Sequence, residues 1–284
     1  MSIKSLLKYL RHRFRRALAM LHYGTALRQS PILFANGFPK SGTHLLHQAL
    51  QGLAQLGPAV DSGLPAILTY DGPTGEPRSL DAILVDLNRM RPGDVAYGHL
   101  HARSPLVEAL CRPGVAPYFI YRDPRDVVVS HVHYVTEMAP DHVHHAYYCH
   151  ELQTFDQRLR VSILGLPDLE IPFPDIRARF EPYLGWLDRP EVLALRFEDF
   201  VSDRDETLLQ VLNQARARGL VTAVERDHAL VVLNAAIDPG QSPTFRSGTI
   251  DKWRQAFSEE HKSIFKGVVG DLLIRLGYEE SHDW

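Results

Sequence analysis

The chain has 284 residues, 45% of them apolar, with 31 basic against 34 acidic side chains and a net charge of −3. That balance supports a sizeable core and argues against a disordered chain or a general nucleic-acid binder, which would carry a strongly basic surface. Two cysteines, Cys111 and Cys149, are too few for a disulfide framework or a zinc site, so a reducing cytoplasm is the natural setting. With no linker, repeat or low-complexity stretch, the expectation is one α/β domain over 30–284 behind a distinct segment, 1–29.

That segment carries Lys4, Lys8, Arg11, Arg13, Arg15, Arg16 and Arg28 and no acidic residue. Ile3, Leu6, Leu7, Leu10, Phe14, Leu18 and Leu21 recur at helical spacing, predicting a basic amphipathic helix. Two readings follow: the helix docks on its own domain or a second subunit, or residues 1–28 make a peripheral contact with an anionic membrane. A long charge-free apolar span is missing.

Pro31–Ala35 is a short apolar run that reads as a buried strand, and Thr43–Leu56 reads as a helix. Between them, Gly37, Pro39, Ser41 and Gly42 make a turn that can aim successive backbone N–H groups at one anion, with the helix N-terminus behind and Lys40 adding a charge. A solvated surface turn is the competing reading. Lys40 precedes Gly42 by two residues, so the spacing differs from that of an NTP-hydrolysing P-loop, whose Lys follows the second glycine.

Residues 57–78 are rich in Gly and Pro and predict an irregular excursion. Asp94–His101 reads as a second parallel strand, with His99 and His101 on one face at its carboxyl end, where α/β sheets place ligands. Pro117–Tyr121 is the next strand, and Asp123-Pro124 reads as an N-cap followed by proline at the first helical position. The stretch 131–151 is crowded with histidine and tyrosine and reads as a flexible aromatic and polar cover, with Glu137 as a spare acid or base; no compact metal-ligand spacing emerges from it. Helices are expected over 151–164, 174–187, 203–218 and 222–236.

Phe38-Pro39-Lys40-Ser41-Gly42-Thr43 resembles the phosphosulfate-binding loop of cytosolic-type sulfotransferases that use 3′-phosphoadenosine 5′-phosphosulfate (PAPS). Tyr121-Arg122-Asp123-Pro124-Arg125-Asp126-Val127-Val128-Val129-Ser130 resembles the same family's second signature, in which an Arg and a Ser eight residues later hold the 3′-phosphate. The resemblance implies an α/β fold with a central parallel sheet flanked by helices, and transfer of the sulfuryl group to a hydroxyl or amine of a small-molecule acceptor without a metal. It also assigns residues. His99, 59 positions after Lys40 and 23 before Arg122, stands where the family has its catalytic His, with Tyr97 in place of the usual Lys. Lys40, Ser41, Gly42, Thr43 and His44 would hold the cofactor's 5′ end, and Arg122 and Ser130 its 3′-phosphate. Residues 191–200 resemble the family's strand that ends in Tyr-Glu-Asp, with Phe197 where Tyr is typical, and Arg246, Ser247 and Gly248 resemble a third cofactor segment in which Lys is usual at Ser247. The acceptor pocket would draw on Asp61, Tyr70, His101, Tyr134 and Glu137. Leu45 occupies the place of a tryptophan that often stacks on adenine, and no family dimerisation pattern is evident, so the oligomeric state stays open. Three other functions compete: a membrane-surface sulfotransferase acting on a lipid or glycolipid, a nucleoside-phosphate kinase and a non-enzymatic nucleotide-binding protein.

Overall fold

Five short apolar segments make one parallel sheet. In this computed structural model, residues 3–61, 63–72, 74–241 and 248–284 are described, with side chains from residue 13 onward. The strands are β1 (Ile32–Gly37), β2 (Ile67–Leu68), β3 (Val95–His99), β4 (Val115–Tyr121) and β5 (Leu193–Arg196), in the order β2-β3-β1-β4-β5 and all parallel. β1 is central and buried at every position, which is why its sequence is a continuous apolar run rather than an alternating one. Pro117 pairs with Phe34 of β1, but pairing with β5 begins only at Tyr118, so its missing N–H costs no ladder bond.

By which residues lie against one another, the described chain divides into two compact units, each assembled from three separate stretches of sequence. The first, residues 1–69, 78–121 and 185–245, contains the sheet. It opens with α1 (Ile3–Tyr23) and α2 (Thr25–Gln29), which carries the fully buried Leu27. α3 (Thr43–Leu56) follows β1 and buries Leu46, Leu50 and Leu53, each worth about 2 kcal/mol. It lies close to the helix Arg226–Ala236, where a methyl group added at Gly52 would come within 3.0 Å of Leu233 and Ala236.

The second unit, residues 70–77, 122–184 and 246–284, is helical. Asp123 caps the helix Pro124–His133 by accepting from the Arg125 N–H at 2.8 Å, with Pro124 at the first turn as expected. The helices Phe155–Leu164 and Glu259–Val269 each start in a capping box, Thr154 with Gln157 and Ser258 with His261. The expected flexible cover at 131–151 is instead largely folded into this unit. Tyr134–Met138 and Tyr147–Glu151 form π-helical turns, the His131 ring stacks on Phe173 at 4.8 Å, and His131, His144 and Tyr148 are buried. Imidazoles pack there as flat rings against other rings, a use of histidine that residue type alone does not reveal.

Candidate active site

The turn between β1 and α3 is drawn tight by two backbone bonds, from the Phe38 N–H to the Ile120 carbonyl (3.1 Å) and from the Ser41 N–H to the Phe38 carbonyl (3.1 Å). Lys40 at its crest has φ 68°, a left-handed conformation that costs a non-glycine residue about 1–2 kcal/mol. Gly42, at φ 92°, is the N-cap of α3 and supplies no side chain, so the first N–H groups of the helix have no capping oxygen. A Cβ at Gly42 would lie 2.6 Å from the Phe197 ring, and one at Gly37 would lie 2.2 Å from the Thr43 hydroxyl. The hydroxyls of Ser41 and Thr43 are buried with no hydrogen-bond partner among the described residues, a cost of about 1–3 kcal/mol each. A left-handed Lys, an uncapped 14-residue helix and two unsatisfied hydroxyls converge on a few residues. This is the donor set an anionic group would satisfy.

β1 and β3 are hydrogen-bonded neighbours, and their adjacency brings His99 to this turn. The His99 Nδ1 lies 2.8 Å from the Gly37 carbonyl, which can only accept, so Nδ1 carries the proton and Nε2 keeps its lone pair. Burial lowers the His99 pKa to about 4; the bond to Gly37 opposes the shift, while His44 and Lys40 add to it. The backbone of His99 is held too, its carbonyl accepting from the Thr69 hydroxyl at 2.9 Å. Leu100 is fixed by Asn36, whose amide donates to its carbonyl (3.0 Å) and accepts from its N–H (2.8 Å), while the Trp186 Nε1–H donates to the same carbonyl at 2.7 Å. Asn36 and Trp186 escaped the sequence reading. The signal for Asn36 was a polar residue inside an apolar strand, and Trp186 gave none. His101 lies beyond the end of β3 instead of continuing it, so the expected shared strand face with His99 does not form.

One predicted position, His44, sits in a ring cluster with two residues that were not assigned to the site. The His47 ring lies 4.4 Å and the His44 ring 5.5 Å from that of Tyr97. Burial is the main cause of the lowered pKa at His44 and at His47, the latter to about 4, and of the raised pKa at Tyr97. Asp61 accepts from Gln51 of α3 and from Arg15 of α1, both at 3.1 Å, so it is engaged within its own unit. Phe197 is buried against Gly42 and supports the turn through packing.

In the second unit, Arg122 is buried and its Nη2 donates to Asp126 (3.1 Å) and to the Thr249 carbonyl (2.8 Å). This ties Arg122 to the segment that begins at Gly248. Ser130 is half-buried on the helix Pro124–His133, Tyr70 is exposed, and Glu137 is exposed and paired with His133. Tyr134 meets His142 edge to face at 5.9 Å. Arg246 and Ser247 lie outside the described residues. Among the described residues no group of three or more His, Cys, Asp or Glu could hold a metal ion, and no helix is long and apolar enough to cross a membrane.

No protein-family model matches the chain, and no curated protein matches it closely enough to count. Solved structures do. The mouse sulfotransferase SULT7A1 complexed with PAP (3′-phosphoadenosine 5′-phosphate) aligns over 96% of this chain and 92% of its own, with a TM-score of 0.58 and 15% identity. Retinol dehydratase in complex with androsterone and inactive cofactor PAP aligns over 90% and 85%, with a TM-score of 0.56 and 16% identity. The same enzyme with retinol and PAP aligns over 90% and 86%, with a TM-score of 0.54 and 15% identity. The five-stranded parallel sheet flanked by helices is the fold this chain shares with these solved structures.

Proposed function

We propose that the chain is a sulfotransferase that moves the sulfuryl group of PAPS to a hydroxyl of a small-molecule acceptor and releases PAP. The observation that carries this reading is the set of unsatisfied donors at the turn, Ser41, Thr43 and the uncapped N-terminus of α3, with the proton-accepting nitrogen of His99 held beside it through Gly37. The likeness in fold to the mouse sulfotransferase SULT7A1 supports it. PAPS supplies an activated sulfur whose leaving group is a phosphate. His99 Nε2 takes the acceptor's hydroxyl proton, leaving the oxygen free to bond to sulfur, and the imidazole ends protonated. Lys40 and the backbone N–H groups of Gly42 and Thr43 stabilise the charge left on the phosphate oxygen; the turn is folded before any anion arrives, so little reorganisation remains. Anion binding also opposes the depression of the His99 pKa, which strengthens the base in the loaded enzyme. The resemblance gives Arg122, Ser130 and Gly248 to the 3′-phosphate, and the bond from Arg122 to Thr249 supports grouping Arg122 with Gly248. The SULT7A1 and retinol dehydratase structures carry PAP, and retinol dehydratase carries retinol or androsterone, which supports a small organic acceptor. Two free thiols, Cys111 and Cys149, suit a reducing compartment.

A thermal-shift titration with PAP, ATP and 5′-AMP tests the proposal. PAP should raise the melting temperature in a dose-dependent way and well beyond the other two, since a ligand that binds only the native state stabilises it by mass action. An equal or larger shift with ATP plus magnesium would favour the kinase reading, and no selective shift would remove the cofactor site.

A further inference from the structure

α1 is docked the opposite way round from an ordinary amphipathic helix. The side that faces the body of its unit does so through arginines. Arg15 donates to the carboxylate and carbonyl of Asp61, and Arg16 donates to the fully buried Asp94 at 2.7 Å and to the Pro92 carbonyl at 2.9 Å. The apolar side faces out: Phe14 is 65% exposed, Leu18 50% and Leu21 84%. Spaced at i, i+4 and i+7, these three form one stripe, and in sequence the same register runs back through Leu10, Leu7 and Ile3. Such an exposed stripe needs an occupant.

Charge selects it. Residues 1–30 hold seven basic side chains and no acidic one, whereas the rest of the chain holds 24 basic against 34 acidic residues. A symmetric contact between two copies through this stripe would set two such cationic helices side by side, which disfavours a second copy. A surface offering both hydrocarbon and negative charge satisfies the whole helix, whose 21 residues span about 31 Å. We infer that α1 is an interfacial helix that docks this protein on anionic lipid bilayers, with Phe14, Leu18 and Leu21 entering the acyl boundary and the net positive charge of residues 1–30 drawing the helix to lipid phosphates. The ion pairs of Arg15 and Arg16 are the rigid mount that turns the stripe outward.

The test is co-sedimentation of the full-length protein with phosphatidylcholine vesicles, with and without phosphatidylserine, at low and high salt. We expect binding only with phosphatidylserine, weakened by salt, and a loss of about tenfold or more in Phe14→Ser/Leu18→Ser/Leu21→Ser. Those side chains are exposed, so the variant keeps its melting temperature and its response to PAP, which separates this inference from the fate of the sulfotransferase reading. A second variant, Lys4→Gln/Lys8→Gln/Arg11→Gln, should lose the preference for phosphatidylserine. Failure of the wild type to sediment with phosphatidylserine vesicles at low salt overturns the inference. So does a wild-type dimer that becomes monomeric in the serine variant, because a second copy then covers the stripe.

Discussion

Replacing His99 tests the proposed mechanism most directly, and two variants separate its roles. With a pKa near 4, only about one His99 imidazole in a thousand carries a proton at pH 7, so the resting enzyme holds the base form almost completely. A positioned base contributes about 10²–10⁴-fold, equivalent to about 2.7–5.4 kcal/mol of barrier. His99→Ala removes the base and also leaves the Gly37 carbonyl without its 2.8 Å partner, at about 1 kcal/mol of local stability. His99→Gln retains an amide N–H that can serve Gly37 but has no basic nitrogen. Steady-state kinetics at saturating PAPS should show kcat down by about 10²–10⁴-fold in both variants with the PAPS KM changed by less than about threefold, because the interaction lost is one made in the transition state. His101→Ala should keep kcat within about fivefold. In the wild type, kcat/KM should be flat from about pH 5.5 to 8 and fall only towards the free-enzyme value near 4. Near-normal turnover of His99→Gln, or a larger loss in His101→Ala, would refute the assignment of the base.

Gly42→Ala should weaken PAP binding by at least tenfold and lower the melting temperature by several degrees. The added methyl group meets Phe197 at 2.6 Å and the backbone stands at φ 92°; Phe197→Leu should recover part of the loss by removing the ring, and a Gly42→Ala protein that binds like wild type would show that the ring does not limit the turn. Acid should destabilise the fold between about pH 6.5 and 4. His47, His99, His101 and His142 are each lowered to about 4, mainly by burial, so over that window the unfolded chain binds more protons than the folded one. Stability is therefore complete above 6.5 and falls by up to about 1.4 kcal/mol per pH unit for each such histidine, less for partly exposed rings. Urea midpoints at pH 7 and pH 5 check the sign, and a higher midpoint at pH 5 would contradict it.

The sequence revealed those parts of the fold whose local chemistry leaves few alternatives. β1 and α3 were legible because an apolar run, a Gly-rich turn and an apolar-periodic helix follow one another directly, and Thr43–Leu56 is the helix found. Asp123-Pro124 announced its helix through a cap and a fixed φ. β2, two residues long inside a Gly- and Pro-rich stretch, carries too little pattern to be seen, yet it pairs with β3 at His99. The clamp on Leu100 was invisible because it joins residues 64 and 86 positions apart. Histidine misled in the second unit, where rings that read as a polar cover fill a core. For α1 the periodicity was right, but its orientation depended on two carboxylates, Asp61 and Asp94, distant in sequence.

Lys40 is held in a left-handed conformation that glycine would adopt without strain, so its presence makes the resting fold less stable than a simpler sequence could be. Selection for stability alone would favour replacing it. At the crest of the turn, persistence and utility pull in opposite directions, and the chain keeps the strained cation. In a random library scored for thermal robustness and then for turnover, position 40 should therefore be one where the two rankings disagree most sharply.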